Sequence, residues 1–342
     1  MKKLTLVVDM YGCPNRCKHC WLGHMPNRKM DEHTDELLVS YFKPFFDAIT
    51  YYSWVREPDF CDDYRRRWIR DNEISIQSKP ERFELASFYR LVRDEGYVEF
   101  LKEIGVKKVQ LTFFGLEETT DYFVGRKNAY QELLQATDIL ISNGISPRWQ
   151  AFLYETNKDE VVKLLDVIES RQLHERCAAF GGEFEFFVHA GSCDGENLKQ
   201  YPNRIQKEHI PEALVPYYLG YDEILEEREC IAQLLNDHEP IRFDPSDDIV
   251  LNVSNRMDVF YNYTHMTRPW VIGNVLTDEP AELVRKITTG DTFALNALRN
   301  CSYSQLAQRY GDTASTRAFE LDDYKMYLVN LYLNDCAAAN AS

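Results

Sequence analysis

Residues 4–20 read LTLVVDMYGCPNRCKHC, a short β-branched run followed at once by three cysteines within eight positions. The run predicts a buried first strand, and the cysteines then lie on the loop that leaves it. A Cys-x3-Cys-x2-Cys loop can bring three thiolates to one side of a [4Fe–4S] cluster, which leaves one of the four irons open. A structural zinc site would need a fourth ligand, for which His19 and His24 are the nearby candidates. The open-iron cluster is the favoured interpretation.

The composition limits the classes of protein that the chain can belong to. It has 342 residues, 44% of them hydrophobic, which is enough for a large core and exceeds the usual single domain. The formal net charge of −16 argues against binding to the phosphate backbone of nucleic acids. No run of 18 apolar residues is present, and the first twelve residues are too short and polar for a signal peptide, which predicts a cytoplasmic protein without membrane contact.

A reducing cytoplasm also favours metal binding over disulfides for the clustered cysteines. The other six are scattered along the chain, and free cysteine usually behaves as a small buried hydrophobe. We predict that role for Cys61, Cys177, Cys193, Cys230, Cys301 and Cys336.

The first half of the chain alternates between strand and helix patterns. The predicted strands are 4–10, 48–55, 82–88, 107–115, 145–154 and 183–191, and the main predicted helices are 31–48, 96–105, 128–144 and 158–171. Such alternation indicates βαβ units and a parallel sheet. Six units predict an α/β fold with a partial (β/α)6 TIM-type barrel rather than a closed eightfold one. Gly105 and Gly144 are expected to end helices.

The pattern changes after residue 195. Residues 196–242 are polar and predicted to be mostly helical, and 248–265 read as two alternating strands joined by a turn. Helices are predicted to follow. We therefore predict two domains, the barrel at 1–195 and a C-terminal α+β extension at 196–342.

Three segments of the predicted barrel resemble motifs of the radical S-adenosylmethionine (radical SAM) superfamily. CPNRCKHC is similar to its CxxxCxΦC signature, with His19 where an aromatic residue is usual. WVREPDF (54–60) lies at the end of predicted strand two, and it matches the family's GGEP at Glu57 and Pro58 only. VQLTFFGLEETTDYFVGRKNAY resembles the family's strand-four segment, and the matched positions are Thr112, Gly115, Asp121, Gly125 and Arg126. The resemblance covers residues 4 to about 191.

This resemblance implies one [4Fe–4S] cluster, with S-adenosyl-L-methionine bound at the open iron and cleaved to give a 5′-deoxyadenosyl radical. It implies Cys13, Cys17 and Cys20 as iron ligands, Glu57 for the methionyl amine and Arg56 or Arg126 for the methionyl carboxylate. Thr112, Gly115 and Gln150 are further cofactor-binding candidates, with His189 as the ionisable residue at the barrel mouth and Cys193 as a hydrogen donor.

Each of the polar candidates also has a purely structural interpretation. Glu57 and the arginines could form surface ion pairs, Gln150 and His189 could satisfy core neighbours, and Cys193 could be an idle loop thiol. The radical needs a dry pocket. Aromatic side chains on the predicted strands could provide one, although most should be core: Phe113, Phe114, Trp149, Phe152, Phe186 and Phe187.

The extension partly resembles the twitch and SPASM extensions of the same superfamily. VLNVSNRMDVFYN followed by WVIGNVLTD is similar to their hairpin and turn. In those extensions a cysteine closes the second strand and binds an auxiliary iron–sulfur cluster, but here that position is Asn262 and no CxxCxxxC follows. We expect a hairpin without its own cluster that acts as a lid over the barrel mouth.

The expected function is that of a radical SAM enzyme acting on a small polar metabolite, such as an amino sugar, amino acid or cyclitol. Epimerisation, dehydrogenation and rearrangement all stay open, and an electron donor such as flavodoxin or ferredoxin is expected. The alternative is a maturase for a ribosomally made peptide. It is disfavoured here because no leader-binding domain precedes strand one and the auxiliary cysteines are missing. A non-catalytic iron–sulfur protein is a third class, but it would not need the S-adenosylmethionine motifs.

Overall fold

The structure is a computed structural model that describes residues 2–243, 248–262 and 264–340. The strands are β1 (Lys3–Val8), β2 (Ala48–Tyr52), β3 (Lys108–Phe113), β4 (Ser146–Phe152), β5 (Glu185–His189), β6 (Leu225–Glu226), β7 (Asp248–Val253), β8 (Asp258–Tyr261), β9 (Gly273–Asn274) and β10 (Ala318–Phe319). The α-helices are α1 (Thr34–Phe42), α2 (Tyr64–Ile74), α3 (Phe88–Leu91), α4 (Glu95–Glu103), α5 (Glu117–Val124), α6 (Ala129–Ser142), α7 (Lys158–Ser170), α8 (Leu173–Ala178), α9 (Glu227–Leu234), α10 (Pro280–Thr289), α11 (Phe293–Leu298), α12 (Tyr303–Tyr310) and α13 (Leu321–Ala339).

Two groups of parallel strands form the partial barrel. In one group β1 pairs with β2 on one side and β7 on the other, and in the second group β4 lies between β3 and β5. Along β3 the buried residues alternate with partly exposed ones, because Val109, Leu111 and Phe113 pack under the helices while the other face lines the barrel. The predicted α/β fold with a partial TIM-type barrel is confirmed.

One predicted strand is wrong. Residues 82–88 form no strand; they cross the gap between β2 and β3, where the carbonyl of Glu84 accepts a 2.8 Å hydrogen bond from Gln110 N–H. Ser87 then caps α3, since its hydroxyl accepts from the backbone N–H of Arg90. The charged residues of this segment make side-chain contacts instead of a ladder, as in the Arg82–Asp59 ion pair.

The missing barrel strand is supplied by the C-terminal part of the chain. β7 and β8 form the predicted antiparallel hairpin, but β7 also pairs in parallel with β1 over six residues. Ile249, Leu251 and Val253 lie on one face of β7 and are buried in the same apolar core as β1. The hairpin is therefore a continuation of the barrel sheet, and the expectation of a lid over the mouth is wrong.

Prolines explain the main differences among the helices. α1 ends at Phe42 instead of continuing to residue 48, because Pro44 cannot continue a helix. Within 196–242, Pro202 and Pro216 lie in short 3₁₀ turns, so α9 is the one α-helix of this segment among the described residues. Glycines 105 and 144 follow α4 and α6 with positive φ, as predicted.

One apolar core joins the two ends of the chain. Leu4 and Leu6 on β1 share a buried cluster with Leu251 on β7 and Leu328 on α13. Cys61, Cys177, Cys193, Cys230 and Cys301 are buried as predicted, whereas Cys336 is half-buried. The described residues include no helix with the length and apolarity that a bilayer crossing requires.

Candidate active site

A cavity of about 540 Å³ opens where the parallel strands of the barrel end. The carboxyl ends of barrel strands are the usual location of active sites in such folds. The predicted site residues that line the cavity are Cys13, Cys17, Cys20, Arg56, Glu57, Thr112, Gln150 and His189. The remaining three predicted residues, Gly115, Arg126 and Cys193, are not part of its lining.

The first part of the cysteine loop is held by an asparagine that the sequence analysis missed. The side chain of Asn27 accepts a 3.1 Å hydrogen bond from the N–H of Cys13 and donates a 2.8 Å bond to its carbonyl. Gly12, with φ +97°, lets Asn27 approach this closely, because a Cβ there would overlap the amide. Cys13 is therefore fixed by a clamp seven residues beyond the last cysteine of the motif.

The middle of the loop lies against the end of α5. The backbone N–H groups of Arg16 and Lys18 donate to the carbonyls of Val124 and Phe123 at 3.0 and 2.8 Å. Gly125 then turns the chain with φ +72°, and a Cβ on it would lie 2.6 Å from the Arg16 carbonyl oxygen. This contact explains why the glycine of the strand-four motif is needed beside the cysteines.

The end of the loop packs against residues that follow β5. The N–H of Glu196 donates to the Cys20 carbonyl at 2.9 Å. His24 bonds the Cys17 carbonyl through Nε2 at 2.9 Å, and its Nδ1 lies 3.5 Å from the Glu196 carboxylate. Since both nitrogens of His24 have partners, it is not free to complete a zinc site.

The three thiols suit a cluster better than a single ion. Burial raises the pKa of Cys13, Cys17 and Cys20, so the thiolates form only when a metal centre compensates their charge. Among the described residues, no three Cys, His, Asp or Glu side chains converge to hold one metal ion. In a [4Fe–4S] cluster each thiolate ligates a different iron, so the thiols do not have to meet at one point.

His19 fills the aromatic position of the signature. The centroid of its ring lies 4.8 Å from the centroid of the Phe114 ring and 4.4 Å from that of the Phe152 ring. Burial lowers the pKa of His19 to about 3, so the imidazole is neutral and packs as an aromatic ring. Phe114 and Phe152 line the cavity, whereas the predicted aromatics Phe113 and Trp149 are fully buried in the barrel core.

Glu57 presents an unpaired carboxylate oxygen to the cavity. Its Oε1 is buried and has no hydrogen-bond partner among the described residues, and its Oε2 lies 3.8 Å from the Cys13 sulfur. Burial raises the pKa of Glu57 to about 7. The adjoining turn is rigid because Asp59, at φ +55°, is held by Arg82 and Tyr97. A buried carboxylate with one oxygen left unpaired fits an incoming ammonium group such as the methionyl amine.

The two arginines predicted for the methionyl carboxylate are engaged elsewhere. Arg56 donates through Nε and Nη2 to the buried Asp9 carboxylate, at 3.1 and 2.7 Å, and through Nη1 to the Met25 carbonyl at 2.9 Å. Arg126 donates to Asn15 and forms an ion pair with Glu132 at 2.6 Å. Both guanidinium groups therefore brace the cysteine loop, and the structure does not support the binding role proposed for them.

Gly115 and Cys193 also have structural surroundings. A Cβ on Gly115, at φ +138°, would lie 2.7 Å from the Glu160 carboxylate, which accepts from the N–H of Leu116. The Cys193 side chain is 2% exposed and packs in the larger apolar core, while its neighbour Ser192 lines the cavity. Its position gives no support for a hydrogen donor to a substrate.

A connected set of polar side chains forms the opposite wall of the cavity, on β3, β4 and β5. Gln110 and Thr112, the latter at 3.4 Å, donate to the Gln150 carbonyl oxygen, and Gln150 Nε2 contacts His189 Nε2. Burial, with the nearby Arg204 cation, lowers the pKa of His189 to about 4, so the ring is neutral. His189, the residue predicted to be ionisable at the barrel mouth, is therefore uncharged at neutral pH.

The sequence analysis did not single out Trp54, Met25 or Arg16, which also line the cavity. The indole Nε1 of Trp54 is buried without a partner among the described residues. Arg16 is exposed at the rim. Trp54 directly precedes the two positions at which Val55 and Arg56 replace the glycines of the family's GGEP, and this departure was the available signal that side chains occupy the space there.

An open α/β barrel with three thiols, an unpaired carboxylate and an aromatic wall at its mouth defines the class, that of iron–sulfur enzymes with a ligand bound beside the cluster. The family model described as the radical SAM superfamily matches residues 7–168. The chain therefore contains a radical SAM domain, and enzymes of this superfamily use a [4Fe–4S] cluster and S-adenosylmethionine. No curated protein matches the chain in sequence.

Two solved structures with a TM-score above 0.5 support the fold. The chain is 13% identical to anSMEcpe with bound AdoMet, with a TM-score of 0.52 and coverage of 97% of this chain and 100% of that one. The chain is 12% identical to anSMEcpe with bound AdoMet and Cp18Cys peptide, with a TM-score of 0.51 and coverage of 98% of this chain and 100% of that one. Streptococcus suis SuiB bound to the precursor peptide SuiA is 13% identical, with a TM-score of 0.45 and coverage of 90% and 73%. The family match ends before the hairpin, so the twitch-like nature of the extension stays a prediction.

Proposed function

We propose that this enzyme removes a hydrogen atom from a residue within a peptide. The observation that carries the proposal is the uncharged wall formed by Gln110, Thr112, Gln150 and His189. A peptide residue presents neutral amide groups, for which amide, hydroxyl and neutral imidazole side chains are the matching partners.

When bound, the [4Fe–4S] cluster and S-adenosylmethionine would supply the one-electron chemistry that removes a hydrogen atom from the substrate. Cys13, Cys17 and Cys20 would hold the cluster. Glu57 would bind the methionyl amine through its unpaired oxygen. Phe114 and Phe152 exclude water from that side of the cavity.

Charged metabolites find few partners in this cavity. Of the cations in its lining, Arg56 is neutralised by Asp9 and Arg16 lies exposed at the rim. A free amino acid would bury a carboxylate, and an amino sugar an ammonium, against a wall without a counter-charge, which is costly. This argument replaces the expectation of a small polar metabolite.

Fold similarity agrees with the proposal. The anSMEcpe structure that matches along its whole length was solved with a peptide as well as AdoMet. The missing auxiliary cysteines, which had counted against a peptide, concern the extension and leave the cavity wall unaffected. A radical SAM enzyme also needs a reductant, and we propose a flavodoxin or ferredoxin as the one-electron donor.

A pair of matched substrate mixtures tests the proposal. Protein from cells grown in D2O is digested with several proteases, and half of the digest is hydrolysed to free amino acids. Each half is incubated with reconstituted enzyme, S-adenosylmethionine and dithionite, and deuterium in 5′-deoxyadenosine is measured by mass spectrometry. Deuterium with the peptides alone is the expected result. Deuterium with the hydrolysate, or none with the peptides, would contradict it.

A further inference from the structure

The inner face of β3, β4 and β5 is layered from the bottom of the barrel to its mouth. At the bottom, Lys108 pairs with Glu185, and Arg148 pairs with Glu84 at 2.7 Å. Gln110 lies beside Arg148 in the strand register, Thr112 and Gln150 lie one layer above, and His189 lies above those. Each layer contacts the next by a hydrogen bond, so the orientation of one group sets that of its neighbour.

Arg148 fixes the direction of the first bond. Its Nη2 donates to Gln110 Oε1 at 2.6 Å, and a guanidinium can only donate. The carbonyl of the Gln110 amide must therefore face Arg148, and the NH2 group of Gln110 must face Gln150. This orientation matches the contact between Gln110 Nε2 and Gln150 Oε1.

The same logic assigns the proton on His189. Gln150 Oε1 accepts from Gln110 and from the Thr112 hydroxyl, so the Gln150 NH2 faces the histidine. An NH2 group can only donate, and His189 Nε2 must accept. Because the ring is neutral, its one N–H is at Nδ1.

The Nδ1–H is available to a ligand. The His189 ring lines the cavity, and Nδ1 makes no hydrogen bond to any residue in the part of the chain that the structure describes. Phe152 packs against the ring with centroids 4.4 Å apart, which limits its rotation. The donor is thus held in place by the wall behind it.

We propose that His189 is a substrate-binding residue whose Nδ1–H donates to a backbone carbonyl oxygen of the bound peptide. This proposal rests on the proposed function, because it takes the peptide as substrate. A neutral N–H donor suits a neutral carbonyl, and the charge-free wall around it leaves no competing ion. Gln150, Gln110 and Arg148 act through His189 as positioning residues.

The position of the proton is tested first, without any substrate. In reconstituted enzyme labelled with 15N-histidine, the 15N shifts and one-bond couplings of His189 should report a proton on Nδ1 and a bare Nε2. The His189→Asn variant assigns the signal. In Gln150→Glu one carboxylate oxygen still accepts from Gln110 and Thr112. The other oxygen faces His189 and can only accept, so the histidine proton should move from Nδ1 to Nε2. A proton on Nε2 in the unaltered enzyme would overturn the proposal.

Function is then tested with the deuterated peptide digest. In His189→Asn the amide nitrogen can take the place of Nδ1, whereas in His189→Gln it takes the place of Nε2. We expect the Gln variant to lose about tenfold more deuterium transfer than the Asn variant, which corresponds to one hydrogen bond. The exposed His174→Asn serves as the control and should behave as the unaltered enzyme.

The outcomes separate the two proposals. Transfer from the digest that is equal in both His189 variants would overturn the role of His189 and leave the proposed function standing. A Kd for S-adenosylmethionine that differs tenfold between the two variants would assign the N–H to the cofactor and would also overturn it. No transfer in the unaltered enzyme, with the proton on Nδ1, would contradict the proposed function instead.

Discussion

Glu57 Oε1 is buried at the cavity surface without a hydrogen-bond partner from the described residues. Leaving a carboxylate oxygen in this state is unfavourable, so the site is arranged to gain free energy when a cation arrives. The thiols beside it are in the same situation, since burial raises the pKa of all three. Cofactors that bring positive charge would compensate both the buried Glu57 carboxylate and the three buried thiolates.

Glu57→Gln should weaken the binding of S-adenosylmethionine. A hydrogen bond to a charged group contributes about 1.5–3 kcal/mol, so the Kd should rise roughly tenfold to a hundredfold. Equilibrium dialysis on reconstituted enzyme measures the Kd. Glu155→Gln, whose carboxylate lies outside the cavity lining and bonds Lys158, should leave it unchanged. An unchanged Kd for Glu57→Gln would exclude the carboxylate as the amine-binding group.

Replacing Cys13, Cys17 and Cys20 together by alanine should abolish the cluster. Iron should fall from about four per chain to none after anaerobic reconstitution, because these thiols are the proposed protein ligands. Iron analysis and the visible charge-transfer band measure the loss. Cys336→Ala is the control and should keep both signals. A charge-transfer band that persists in the triple variant would show that other residues bind iron.

Sequence reasoning found the residues whose chemistry is unusual and missed those whose partners are distant. The cysteines and Glu57 stood out through spacing and family motif. Arg56 was assigned to a ligand because guanidinium groups bind carboxylates, but the carboxylate that it binds is Asp9, directly after β1. Asn27 had no signal at all, since its contact with Cys13 depends on how the loop closes.

At the scale of elements, the cysteine loop is held between the end of α5 and the segment after β5. Neither element belongs to the cysteine motif. The loop therefore depends on two close backbone contacts, at Gly125 and Gly195, where a side chain would displace carbonyl groups of the loop. Through the close contacts at these glycines, the end of α5 and the segment after β5 fix the backbone of the cysteine loop.

Gly125→Ala should reduce cluster incorporation, because the new Cβ would displace the Arg16 carbonyl and with it the adjacent Cys17. Gly144→Ala is a matched control, because Gly144 has the same φ of +72° and nothing within 4 Å of its Cβ position. Both variants should lose about 1–2 kcal/mol of stability from the left-handed backbone. Iron content after reconstitution should fall in Gly125→Ala only. Equal iron content in the two variants would show that the contact with the loop has no role.

The elements themselves were predictable where the pattern was strong. β3, with the sequence KVQLTF, alternates apolar and polar residues, and the helices before Gly105 and Gly144 end as expected. Residues 82–88 have the composition of a strand, but Arg82 and Ser87 form a side-chain ion pair and a helix cap instead. Tertiary partners outweighed local propensity there.

At the scale of the whole molecule, the barrel is built from both ends of the chain. β7 follows the predicted boundary at residue 195, yet it pairs with β1 and shares its apolar core. The sequence showed a hairpin at this position but not which strand it would join, because pairing between distant strands leaves no local pattern. The division into two domains at 195 stays a prediction.

A chain ending at residue 195 should not fold by itself. It would expose the edge of β1 and leave Leu4, Leu6 and Val8 without the cover that β7 provides. We expect the full chain to unfold in a cooperative transition, monitored by circular dichroism in urea, and the shortened chain to show none. A cooperative transition for residues 1–195 would establish the barrel as an independent domain.

The pairing of β1 with β7 also sets the order of events during biosynthesis. The cysteines leave the ribosome before β7 does, but the N–H of Asp9, just before them, donates to the carbonyl of Val253. The loop cannot take its final position until that later strand has been translated. We therefore expect iron and sulfide to be inserted after β7 has been made, with the thiols still reduced and unligated until then.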